Sequence, residues 1–208
     1  MKKRIGILGT GEVGITLAKG FQKHGHQVVM GTKTQGKKVA WDGEVTTYEK
    51  AAQQSDTLVL AVKGDVAEDV VRAIAPYSAG KTIMDAANPI AAAPPQNGIL
   101  KFFTTLDDSL MERLQRLAPQ ANFVKAFSSV GSALMVNPQL KNGPPSMFIC
   151  GNSADAKNEV KEILTTFGWE TEDMGGVEAA RAIEPLCILW CIPGFTKNDW
   201  MHAFKVLR

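Results

Sequence analysis

Short, uninterrupted apolar runs alternate with segments of helical period along this chain. That alternation restricts the fold to βαβ units feeding a parallel sheet. Ile5-Gly6-Ile7-Leu8 reads as a strand buried on both faces. Val13, Leu17 and Phe21 then recur four apart, one stripe of a helix that Gly25 stops. Further strands are expected at residues 27–30, 45–47, 57–62, 81–85, 122–127, 146–150 and 170–174. Helices are expected at 48–54, at 66–76, from near Asp107 through Leu117, and from a cap at Asn152 or Ser153 to a stop at Gly168. A long apolar helix begins near Val177 and is interrupted at Pro185. The polar stretch 32–43 has room for only a stunted helix, and the Pro- and Gly-bearing stretch 90–103 reads as a loop or lid.

Gly9-Thr10-Gly11-Glu12-Val13-Gly14 is a G-x-G-x-x-G pattern. Alone it is weak, but here it directly follows a buried strand and opens a helix, the context of a dinucleotide fingerprint. Gly9 permits the tight turn, Gly11 lets a pyrophosphate approach the backbone, and Gly14 lets helix and strand pack closely. The helix amino terminus supplies N–H groups and the positive end of its dipole. The competing reading is a turn that needs glycine for geometry alone. An NAD site would place an acid about 20 residues past the motif, to hold the ribose 2′-hydroxyl. The sequence there is Gly31-Thr32-Lys33, with Lys37 and Lys38 following. A hydroxyl and cations suit a 2′-phosphate, so the cofactor expected is NADP.

The 208 residues carry 23 basic and 21 acidic side chains, a net charge of +2, so no basic excess points to nucleic acid. A chain 45% hydrophobic and 21% charged can bury a sizeable core. The basic start has no apolar run behind it, and residues 186–195 are too few for a bilayer span. Three cysteines are too few to staple this size. These features predict a soluble, cytoplasmic protein that does not engage a membrane.

The chain resembles the coenzyme F420 (deazaflavin)-dependent NADP oxidoreductase family. The resemblance rests on the glycine motif, on Gly25-His26-Gln27-Val28-Val29-Met30-Gly31-Thr32-Lys33, and on Asp85-Ala86-Ala87-Asn88-Pro89. It continues through Val124-Lys125-Ala126-Phe127, Met147-Phe148-Ile149-Cys150-Gly151, Asp173-Met174-Gly175-Gly176 and Ala180-Arg181-Ala182-Ile183-Glu184-Pro185. The oxidoreductase domain of membrane ferric reductases is similar too. The resemblance implies a Rossmann-type doubly wound α/β fold, mostly parallel, with a small α+β carboxy-terminal extension. Residues 1–120 would be the NADP-binding domain, and residues 121–208 would close the substrate side. It also implies that Thr32, Lys33 and Lys37 surround the 2′-phosphate and that Thr10, Gly11, Glu12 and Val13 form the pyrophosphate loop. Ala61, Val62, Lys63, Asn88 and Pro89 would line the nicotinamide side. Lys63 stands where the family often has Pro, and Ser128-Ser129 where many members have Asn-Thr, so the acceptor stays open.

Hydride exchange between two ring cofactors needs stacking and distance rather than an acid–base constellation, and no catalytic side chain is assigned. His24, His26 and His202 have no clustered partners and read as surface or turn residues. Cys187 and Cys191, four apart on the apolar helix, lack the further ligands a zinc site requires and read as core. Glu184 would cap, pair with Arg181, or face the cleft. The expected function is an NADP(H)-dependent oxidoreductase passing hydride to a flavin, deazaflavin or similar redox acceptor. A reductase of a small carbonyl or imine compound and a non-catalytic NADP(H)-sensing module are the alternatives. The acceptor cleft is expected between Val62-Lys63, Asn88-Pro89 and Ser128-Ser129, past strand carboxyl ends. The apolar helix predicts a homodimer.

Overall fold

A computed structural model describes residues 2–34, 36 and 38–208. Six strands form one parallel sheet: β1 (Arg4–Leu8), β2 (Gln27–Gly31), β3 (Glu44–Thr46), β4 (Thr57–Leu60), β5 (Thr82–Asp85) and β6 (Asn122–Lys125). Their order is β3-β2-β1-β4-β5-β6, the doubly wound Rossmann arrangement, and every adjacent pair is parallel. The apolar runs predict this, because a central parallel strand is buried on both faces. Successive side chains point to opposite sides of the sheet and so divide between two cores. Ile5, Ile7, Val59 and Met84 pack on one side against α1 (Glu12–Lys23) and α5 (Ala154–Thr166). Leu8, Leu58, Leu60 and Ile83 pack on the other, against α2 (Tyr48–Gln54), α3 (Gly64–Ile74) and α4 (Leu110–Leu117).

Three helices, α2, α4 and α5, start where a short polar side chain satisfies a first-turn amide. Thr47 Oγ1 accepts from Lys50 N at 3.3 Å, and Ser153 Oγ accepts from Ala156 N at 3.2 Å. Ser109 caps α4 in a reciprocal box with Glu112, so this helix begins at Leu110 rather than near Asp107. Two strands end before their apolar runs do. The chain leaves the sheet after Leu60 and after Lys125, and the freed residues turn across the carboxyl edge. Phe127 makes that turn with φ +61°, left-handed backbone that a bulky residue rarely adopts, while its ring stays buried.

Beyond the sheet, β7 (Ser146–Ile149) and β8 (Glu170–Asp173) form a separate parallel pair. Lys125 N donates to Cys150 O at 3.0 Å and joins this pair to β6. The helix expected from Val177 is three pieces: a 3-10 turn (Val177–Ala179), α6 (Ala180–Ile183) and, past Pro185, α7 (Leu186–Lys197). Cys187, Trp190 and Cys191 pack with Leu100, Phe102, Trp200 and Phe204, whereas Leu189 is 54% and Phe195 45% exposed. The 90–103 loop and the carboxy-terminal segment cover one face of α7 only.

Candidate functional site

The carboxyl ends of β1, β2 and β4 open into a cleft of about 440 Å³. Gly9, Thr10, Gly11, Glu12, Val13, Thr32, Lys33, Ala61, Val62 and Lys63 all line it, so ten of the residues singled out from the sequence meet in one place. Lys37 lies outside the described residues. Thr34, Tyr48, Val66 and Ala86 complete the lining and were not anticipated. Lys38 lies in an adjoining recess with Thr32, Thr47 and Lys50. A recess of about 430 Å³ between α1 and α5, lined by Lys3, His26 and Glu159 among others, contains none of the predicted site residues.

The three glycines behave differently. Gly9 sits at φ +127°, a conformation closed to other residues, and a Cβ there would overlap the Ala61 carbonyl. A Cβ on Gly14 would overlap the Gly9 carbonyl oxygen, so the helix could not approach the strand. A Cβ on Gly11 would meet nothing within 4 Å. The protein itself does not require that glycine, and the open space lies where the first turn of α1 begins. Gly11 caps α1 without a side-chain hydrogen bond. The donor set, amides with a hydroxyl and cations nearby, is the set a phosphate-rich cofactor requires. Glu12 Oε1 accepts from Ser132 Oγ and ties the loop to the segment after β6.

At the end of β2, Thr32 is buried and its Oγ1 accepts from Thr34 N at 3.4 Å, while Lys33 is exposed. Among the described residues lining the cleft the only acid is Glu12, so no carboxylate stands at the β2 end. Tyr48, the first residue of α2, lies against Gly31. Burial pushes its phenol above the ordinary value, although a hydrogen bond with the Lys33 backbone opposes this.

Asn88 and Pro89 lie beside this lining rather than in it. Their backbone packs on Gly64 at the start of α3, where a Cβ would strike the Asn88 carbonyl. Asn88 Nδ2 donates to Ser128 O at 2.8 Å, which brings the 88–89 and 128–129 segments together. Among the described residues, Asn88 Oδ1 and Ser128 Oγ are both buried without a hydrogen-bond partner. Glu184 does not pair with Arg181. Its carboxylate accepts from the Leu110 and Met111 amides, each at 3.0 Å, and meets Lys125 Nζ at 3.0 Å. Arg181 instead grips Glu112, at 2.6 and 3.0 Å, and holds that carboxyl down at about 2. Cys187 and Cys191 are core residues, His26 Nδ1 accepts from Lys3 N, and His202 stacks on Trp190.

A cleft at the carboxyl edge of a 3-2-1-4-5-6 sheet, with a glycine loop opening α1, is the arrangement of the Rossmann dinucleotide-binding fold. Residues 4–89 match the profile of the family described as NADP oxidoreductase, coenzyme F420-dependent. The chain is similar to this family through that segment, which is less than half of its length. A candidate F420-dependent NADP reductase from Arthrobacter sp. FB24 superposes with TM-score 0.92 at 29% identity, over 99% of this chain and 100% of that one. Metalloreductase STEAP3 of Rattus norvegicus is 29% identical over 198 residues, 91% of this chain. The chain spans only 38% of that relative's length. Pyrroline carboxylate reductase of Plasmodium falciparum, at 19% identity and TM-score 0.63 over 95% of this chain and 66% of that one, shares the fold.

Proposed function

We propose that the cleft holds NADP(H) and that the protein passes hydride between its nicotinamide and a ring-type redox acceptor, a flavin or deazaflavin. The observation that carries this is the β2 end, where Thr32 and Lys33 line the cleft with no carboxylate beside them. A ribose 2′-phosphate needs donors and positive charge there, and an acid would repel it. On this reading the amides of Gly11–Val13 hold the pyrophosphate, Thr32 and Lys33 hold the 2′-phosphate, and Ala61, Val62 and Lys63 border the nicotinamide. When bound, the cofactor supplies the hydride. The chain binds, orients and excludes water.

The acceptor is assigned to the space bounded by Val62-Lys63, Asn88-Pro89 and Ser128-Ser129. Asn88, Ser128 and Ser129 offer hydrogen bonds but no strong acid. That favours a ring acceptor over a carbonyl or imine, whose reduction requires a positioned proton donor. The outer face of α7 is proposed as a homodimer contact.

Titration with NADP and NAD, followed by NADPH oxidation with FMN and with coenzyme F420, tests the reading. Tighter NADP and turnover with a ring acceptor are expected. Tighter or equal NAD binding overturns the cofactor assignment, and NADPH binding without turnover of either acceptor favours a sensing role. Ser128→Phe should block turnover and spare NADP binding; unchanged turnover would move the acceptor elsewhere.

A further inference from the structure

Three buried charges are left without a part in the function proposed above. Lys125 Nζ, at the end of β6, lies 2.6 Å from Asp85 Oδ2, 3.0 Å from Glu184 Oε1 and 2.9 Å from the Ala87 carbonyl oxygen. Asp85 and Lys125 are fully buried and Glu184 is 1% exposed. Burial alone would drag the ammonium down, but the two carboxylates outweigh it and hold Lys125 above its ordinary value. Apolar residues of similar volume generally stabilise a core as well as such an ion group does, so stability alone does not account for it.

What the group holds is a strand end. Ala87 N donates to Asp85 Oδ1 at 2.9 Å while Ala87 O accepts from Lys125, so this residue is gripped on both sides. The next residue is Asn88, whose Nδ2 is committed to Ser128 O and whose Oδ1 is not committed. Ser128, 2% exposed, carries the second uncommitted oxygen. A buried polar atom without a partner is costly unless a bound group completes it.

We propose that Lys125, acting through Ala87, is a positioning residue for the acceptor site: it fixes Asn88 so that Asn88 Oδ1 and Ser128 Oγ receive the amide or imide edge of the acceptor ring. This rests on the proposed function. Asn88 Oδ1 can only accept, and the Ser128 hydroxyl can accept or donate, which matches an N–H beside a carbonyl. Glu184 extends the grip to the first amides of α4, which ties the α6–α7 junction to the same strand end.

The test compares wild type, Asn88→Ala, Lys125→Met and the double variant in NADPH oxidation with FMN, alongside NADPH affinity and thermal melting. Each single variant should lose about ten- to a hundred-fold in kcat/KM for FMN, with NADPH affinity unchanged within about two-fold. The double variant should be no worse than the poorer single one, because both remove one arrangement. Wild-type kcat/KM in Lys125→Met, losses that multiply, or a loss confined to NADPH binding overturns the inference. An inert Asn88→Ala with impaired Lys125→Met overturns the acceptor assignment itself. Asp85→Asn, which keeps an oxygen for Ala87 N, should show the same loss and serves if Lys125→Met does not fold. If wild type turns over coenzyme F420 and not FMN, the same comparison is made with F420; if it turns over neither, the proposed function falls, and the Asn88 side-chain amide resonances decide: they should shift in Lys125→Met, and identical resonances refute the positioning role.

Discussion

Gly11 and Gly14, three residues apart, meet opposite demands, and substitution separates them. Gly14→Ala drives a methyl into the Gly9 carbonyl, so it should lower stability by about 1–3 kcal/mol, as overpacking does, and weaken NADP as well. Gly11→Ala meets open space, so the melting temperature should stay near that of the wild type while NADP affinity falls. Melting curves with and without NADP read both effects. Equal destabilisation by the two changes would mean that Gly11 serves the fold and not a ligand. Lys33, exposed beside buried Thr32, gives a third contrast. Lys33→Ala should weaken NADP by about 1–3 kcal/mol, the range of a charged hydrogen bond, and leave NAD nearly unchanged. Calorimetric titration of both cofactors checks it.

At the level of the element, α4 is held at its start by two carboxylates of different character. Glu112 closes the Ser109 box and is gripped by Arg181, which keeps it at about 2 against an ordinary 4.5. A carboxyl depressed by folding contributes stability that is complete above its unfolded value and lost as pH falls toward its folded one. Between about 4.5 and 2 the unfolded chain binds the proton first, so stability must fall with acid across that window. Asp108, Glu159 and Asp173 are depressed too and act in the same direction, whereas Asp85, raised by burial, opposes them. Glu112→Gln should flatten the decline in melting temperature between pH 5 and pH 2.5, measured by circular dichroism. An equally steep decline would show that the Arg181 grip is not coupled to folding.

Local signals were legible at this level. The glycine loop, the Ser153 cap and the apolar strands follow from neighbours a few residues apart, and they announce β1 through β6. The Asp85–Lys125–Glu184 group did not announce itself, because each member sits in a different segment and looks like an ordinary charge. Tyr48 was missed because a helix-opening aromatic carries no periodic signal. Strand ends were overextended at residues 61–62 and 126–127. Apolarity continues there for packing: Ala61 N and Ala126 N still donate to Leu8 O and Asp85 O, and the residues after them leave the sheet.

For the whole molecule, α7 leaves Leu189 and Phe195 about half exposed, with Ile99 46% exposed on the loop that packs against it. A second copy pairing through this face is the proposed remedy, since a two-fold contact needs only one self-complementary patch. Light scattering at micromolar concentration should give twice 22.5 kDa, and Leu189→Glu should halve that mass. A monomeric wild type would return the patch to solvent.

Glu184 also carries a consequence for the order in which the protein is made. Chains emerge amino terminus first, and the sheet with its glycine loop is complete in sequence once β6 has been synthesised. At that stage Lys125 has Asp85 alone as a carboxylate partner, and the Leu110 and Met111 amides of α4 are bare. The missing carboxylate belongs to a residue synthesised 59 positions later than Lys125. The grip on the strand end that carries Asn88 is therefore complete only after α5, which covers one face of the sheet, and the last helices have been made.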